Sequence, residues 1–215
     1  MIRIKRFTCN MLQENCYVAS CDITNECVVV DCGAYYEEER KSLLAYIHDN
    51  HLKPVHLLCT HGHVDHNFGN NTIFDEFGLN PEVHAEDKAL MDNLAQQSVQ
   101  FIGDAPKYAF PTVKQYLSDG DLISVGNHTI QVIHTPGHSK GSVCFYIKEE
   151  NLLMTGDTLF RMSIGRTDLE GGSMMQIIQS LRQLAQLPDD TLILPGHGPE
   201  TTMGDELRYN PFLDR

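Results

Sequence analysis

Apolar and polar positions divide the chain into short strands followed by mixed strands and helices. Residues 2–8, 16–20 and 26–31 read as strands, with Asp22, Thr24 and Asn25 forming a turn between the last two. Leu43, Leu44 and Ile47 recur at helical spacing and predict a helix over 36–50, which Pro54 ends. Residues 55–59 then form a buried strand. Residues 60–66 and a helix to about Phe77 follow, then a second helix over 85–97 and a loop over 103–111. Further strands are predicted over 129–134, 142–147 and 152–155. Ser173-Met174-Met175-Gln176 has the form of a capping box, and it opens a helix with Ile177, Ile178, Leu181 and Leu184 on one face. Residues 191–194 give a last short strand. The pattern is a mixed α/β class without strict βαβ alternation, and neither Gly-rich phosphate-loop signature occurs.

Length and composition fit this picture. The 215 residues, 41% hydrophobic and 21% charged, suit one globular domain spanning 1–215 with a sizeable core. No apolar run approaches the ~20 residues of a membrane span, and no signal-like stretch follows the basic residues Arg3, Lys5 and Arg6. The seven cysteines are odd in number and lie mostly within strand-like runs, so a reduced, cytoplasmic protein is expected. A net charge of −13 argues against nucleic acid as a partner and leaves a small molecule as the expected one.

The chemistry concentrates in Thr60-His61-Gly62-His63-Val64-Asp65-His66, directly after an apolar strand. On extended backbone, residues two apart point the same way, so His61 and His63 can share one metal. A helix starting near Asp65 would turn Asp65 and His66 towards a second point. Burying three histidines and an aspartate so close together is costly without an ion. His138, Asp157 and His197 each follow a strand and adjoin a glycine, as ligands in a crowded site do. Imidazole and carboxylate without thiolate suit zinc, iron or manganese. The remaining histidines, His134 included, read as surface or structural residues.

These motifs, with Thr135-Pro136-Gly137-His138, Gly156-Asp157, Gly196-His197-Gly198 and the early Asp31, resemble the ordered motifs of the metallo-β-lactamase superfamily across residues 2–212. The resemblance implies an αββα sandwich, two mixed sheets flanked by helices, with two divalent metals at one edge, zinc first among them. It implies that His61, His63 and His138 bind the first metal, that Asp65, His66 and His197 bind the second, and that Asp157 bridges them. Asp31 would orient a ligand without being one. Within the superfamily the chain is most similar to short members of the glyoxalase II group, through Gly156-Asp157-Thr158-Leu159-Phe160-Arg161, Gly165-Arg166-Thr167-Asp168 and Asn210-Pro211-Phe212-Leu213. The expected activity is therefore hydrolysis of an S-acylglutathione such as S-lactoylglutathione, with Asp65 holding the attacking hydroxide. Arg161, Arg166 and Lys140 are candidates for contacts to an anionic substrate, and Arg166 has the alternative role of structuring its loop through Asp168 or Glu170.

Three other readings stand beside that one. Persulfide dioxygenases resemble the chain in the first-metal motif and the Gly-Arg-Thr-Asp stretch, but use one iron held by two histidines and an aspartate. A lactone hydrolase would use the same two-metal set. A catalytically silent metal-binding module would be expected to show an incomplete ligand set.

Overall fold

The computed structural model describes residues 1–213. A first six-stranded sheet runs in sequence order through β1 (Ile2–Cys9), β2 (Glu14–Cys21), β3 (Glu26–Val30), β4 (Lys53–Leu58), β5 (Pro81–His84) and β6 (Gln115–Leu117). Its first two pairings are antiparallel, and the pairings from β3 to β6 are parallel. The second sheet contains β7 (Leu122–Val125), β8 (His128–His134), β9 (Val143–Ile147) and β10 (Leu152–Gly156). A small hairpin, β11 (Leu159–Phe160) and β12 (Ser163–Ile164), stands apart from it. β13 (Leu192–Pro195) and β14 (Thr201–Thr202) complete the second sheet in the order β14-β13-β10-β9-β8-β7.

Alternation along the strands builds three layers of core. Val28, Val30, Tyr17 and Ala19 face Ile130, Val132, Phe145 and Met154 across the sandwich. The alternate residues Cys27, Val29, Cys16 and Val18 turn outward under Leu43 and Ile47 of α1 (Glu37–Asp49) and Ile73 of α2 (Asn70–Phe77). With both faces covered, all eight residues of β2 are buried. A short helix, α3 (Lys88–Asp92), and α4 (Leu94–Ile102) cover β5 and the segment after β4. On the second sheet, Cys144, Tyr146, Leu153 and Ile193 pack under α5 (Met174–Leu184) and α6 (Met203–Tyr209). The arrangement is the expected αββα sandwich. No helix among the described residues is long and apolar enough to cross a membrane.

Two local expectations need correction, and several short strands carry no sequence signal. The helix expected over 85–97 is a 3-10 turn at Ala85–Asp87, then α3 and α4, broken at Asn93. There the Asn93 side chain donates to Ala89 O at 3.0 Å, competing for a helix carbonyl. Strands β5, β6, β7 and β14 have two to four residues each, too short for an alternation signal. The capping box is half formed. Ser173 Oγ accepts from Gln176 N, but the Ser173 N–H donates to Gly137 O, which anchors the His138 loop to α5.

Phe145 is fully buried between the sheets. Phe145→Ala is expected to cost about 3–5 kcal/mol of stability, read as a lowered urea midpoint with an unchanged slope. An unmoved midpoint would contradict this packing.

Candidate metal centre

The C-terminal ends of β3, β4, β10 and β13 open on one edge of the sandwich, and the chain beyond each end delivers a functional side chain there. Asp31 follows β3, His61 to His66 follow β4, Asp157 follows β10 and His197 follows β13. His138 arrives on the loop between β8 and β9. His61, His63 and His138 bring one nitrogen each within 4.8 Å of one another; Asp65, His66 and His197 do the same with their own ligand atoms. Asp157 lies between the two groups, with Oδ2 at 3.5 Å from His138 Nε2 and Oδ1 at 3.3 Å from His66 Nε2. Asp65 Oδ2 stands 3.3 Å from His197 Nε2.

Hydrogen bonds behind the rings fix which nitrogen faces inward. His138 Nδ1–H donates to Arg166 O at 2.8 Å, and His197 Nδ1–H donates to Leu12 O at 3.1 Å. His66 Nδ1–H donates to Asp31 Oδ2 at 3.0 Å. Asp31 also accepts from Thr60 N and Thr60 Oγ1, both at 2.7 Å, and that hydroxyl oxygen accepts from His61 Nδ1 at 3.0 Å. These four rings therefore turn their Nε2 atoms to the centre, while His63 presents Nδ1, 2.8 Å from His138 Nε2. Against burial, the carboxylates of Asp157, Asp65 and Asp31 hold His66 well above the ordinary imidazole range, and Asp65 with Asp157 raises His197. Such backing bonds are how proteins set the tautomer of metal-binding histidines.

The centre asks for a cation. His61 Nε2 and Asp157 Oδ1 are buried without a hydrogen-bond partner. Burial, reinforced by the neighbouring histidines, pushes the His61 imidazole well below its ordinary range, and burial with His138 takes His63 down to about 4. Both rings are thus neutral lone-pair donors. Burial works against the charge of Asp157, but His66, by its charge and its hydrogen bond, outweighs it and holds this carboxyl well below the carboxylate range. Nitrogen lone pairs and carboxylate oxygens converging in a buried space fit one or two divalent ions of the zinc, iron or manganese kind.

All seven residues expected around the metals meet at this edge, and Asp31 stands behind His66. The substrate candidates are less drawn in. Arg166 is 57% exposed and makes a bidentate pair with Asp168 at 2.7 and 2.8 Å. Arg161 is exposed, and Lys140 lines a cavity with Glu86, Leu90 and Glu170.

Several supporting residues carry no sequence signal. Asp87 is buried and accepts from Gly62 N at 2.8 Å, Ser139 Oγ at 2.6 Å and Gly141 N at 2.6 Å, joining the His61–His63 loop to the His138 loop. Asn15 Nδ2 donates to Pro195 O and Gly198 O, and Tyr17 Oη–H donates to Pro195 O, so the first hairpin grips the His197 loop. Glu14 is fully buried 3.8 Å from His66 Nδ1, and burial pushes its carboxyl well above the usual range. At Gly33 a Cβ would stand 2.1 Å from Glu14 Oε2 and 2.4 Å from Asp65 O, so this close approach admits only glycine. Only the expectation that β-strand ends and loops carry polar function could have pointed to such residues.

Comparison with known proteins identifies the family. Residues 10–197 match the metallo-beta-lactamase superfamily model. The chain is 33% identical to the hydroxyacylglutathione hydrolase GloC of Haemophilus influenzae over 94% of its length and 93% of that protein's. The fold superposes on the crystal structure of the BLEG-1 B3 metallo-beta-lactamase with a TM-score of 0.88, at 34% identity over 98% of this chain and 99% of that one. It superposes on TTHA1623 in a di-iron-bound form with a TM-score of 0.83, at 37% identity over 97% and 100% of the two chains. The chain belongs to the metallo-β-lactamase superfamily of metal-dependent hydrolases.

Proposed function

We propose that the protein is a dinuclear thioesterase of the hydroxyacylglutathione hydrolase kind, acting on an S-acylglutathione such as S-lactoylglutathione. The observation that carries this reading is the complete second group, Asp65, His66 and His197, assembled beside His61, His63 and His138, with Asp157 reaching both. The likeness to GloC over 94% of the chain supports the thioester as substrate. A mononuclear iron reading leaves the second group without a task.

His61, His63 and His138 would hold one ion, Asp65, His66 and His197 the other, and Asp157 would touch both. When bound, such a pair lowers the pKa of a shared water and polarises the substrate carbonyl. The protein's own contribution is placement. Asp31, Thr60 and the carbonyls of Leu12 and Arg166 hold the imidazoles in their inward tautomers before any ligand arrives. Asp65, with 15% of its side chain exposed, is the carboxylate through which the attacking water is oriented. The departing thiolate, with a conjugate-acid pKa of ~8.5, leaves without a dedicated proton donor. Zinc heads the candidates for the ion, and the di-iron form of TTHA1623 supports iron as the alternative. The Arg166 guanidinium would exchange Asp168 for a substrate carboxylate.

The decisive test is hydrolysis of S-lactoylglutathione by purified protein, with metal content measured on the same sample. Turnover with about two ions per chain supports the proposal. Turnover of a β-lactam or a lactone in place of the thioester would keep the centre and replace the substrate. A single iron with oxygen consumption on glutathione persulfide would overturn it. Asp65→Ala is expected to lower kcat by roughly 10²-fold or more with the fold retained by circular dichroism; undiminished turnover would sink the role given to Asp65. Arg166→Ala is expected to raise KM about tenfold for an anionic thioester and not for a neutral one. Equal KM values with a lower Tm would leave the arginine to its loop.

A further inference from the structure

A second group of ligand-type side chains lies at the pole of the sandwich opposite the histidine centre. β2 starts at Glu14, bridged to His197, and ends at Cys21. Seven residue steps at ~3.3 Å place the two ends ~23 Å apart. At that far end the Cys21 sulfur, the Asp22 carboxylate and a ring nitrogen of His128 lie within 4.8 Å of one another. Cys21 closes a strand of the first sheet, and His128 opens β8 of the second.

The thiol is primed for a cation. The backbone N–H of Asn127 lowers its pKa to about 7, against burial, with help from the Thr24 and Ile23 backbone and the Thr24 side chain. Cys16, Cys27, Cys59 and Cys144 lie in surroundings that raise theirs. Two carboxylates and two cations, the Met1 ammonium and Arg3, surround Cys21. Asp22 Oδ1 holds the Met1 ammonium at 2.9 Å, while Glu150 Oε1 stands 3.7 Å from His128 Nδ1 and 3.8 Å from the ammonium. Gly126 packs so closely that a Cβ there would stand 2.6 Å from the Cys21 sulfur, which brings the β7–β8 turn onto the thiol.

A third cluster shows by contrast what convergence requires. The rings of His84 and His134 stack at 4.1 Å and 12°, so their in-plane lone pairs run side by side. His84 Nδ1 already accepts from Glu86 N, and His134 Nε2 donates to Lys140 O. That pair cannot close on one ion without rotating.

We infer that Cys21, His128 and Asp22 form a binding site for a soft divalent cation of the zinc class, which clips the two sheets together at this pole. Ligand atoms around tetrahedral zinc lie ~3.3–3.8 Å apart, so the three need draw in by about 1.5 Å at most, with solvent in the fourth position. The site is independent of the histidine centre, which contains no thiolate.

That difference supplies the test. Cd2+ bound to thiolate gives an ultraviolet charge-transfer band, whereas Cd2+ on imidazole and carboxylate does not. Purified protein titrated with Cd2+ is expected to develop a band of one-thiolate amplitude and a higher Tm. Cys21→Ser should abolish the band and the part of the Tm rise that accompanies it, while its circular dichroism stays unchanged. His128→Ala, which keeps the thiol, should weaken the band's Cd2+ dependence roughly tenfold or more. No band, a band that survives in Cys21→Ser, or one indifferent to His128→Ala would overturn the assignment. The readout is absorption, so the outcome stands apart from that of the thioesterase assay.

Discussion

Five imidazoles and two carboxylates crowd one largely buried space at the edge of this sandwich, and the rest of the site is built around holding them there. His63 Nδ1 and His138 Nε2 approach to 2.8 Å, and His66 and His197 bring their Nε2 atoms to 3.3 Å. No surface selects such a geometry for itself. It persists because each ring is held from behind, and because Asp157 sets negative charge between the groups. A divalent cation turns the same geometry from a cost into a binding site.

The supports behind the rings run in a chain. The backbone of Asp31 sits at a φ of 52°, a left-handed conformation that aspartate tolerates better than most residues. From there one carboxylate gathers Thr60 and His66, and Thr60 in turn gathers His61. Asp87 couples the loops that carry His61, His63 and His138, and Asn15 with Tyr17 couples the first sheet to the His197 loop. Loops from both sheets thus become one rigid surface, which a reaction dependent on orientation requires. The parallel strands β3, β4, β10 and β13 all end at this edge, and the topology makes the convergence possible.

The two poles differ in chemistry as well as position. One gathers imidazoles and carboxylates at the ends of parallel strands. The other sets one thiol beside one imidazole and one carboxylate, between strand ends of opposite sheets. The sandwich core between them, from Ile2 and Tyr17 through Phe145 and Leu194, holds their separation fixed.

By itself the sequence displayed the strands and helices of a mixed α/β class and the candidate metal-binding residues. Alternation in the first strands and the stretch from His61 to His66 are local features, and local spacing is what a sequence displays directly. The same holds for His138, Asp157 and His197, each marked by a strand before it and a glycine beside it. The tertiary structure decided what those residues lean on. Asp87 lies 52 residues from Ser139, and Asn15 lies 180 from Pro195, so neither hydrogen bond has a local signature. The short strands β5 to β7 likewise depend on what pairs with them. Cys21 and His128, each unremarkable in its own strand, meet only because two sheets stack face to face, and that contact is a property of the packed chain alone.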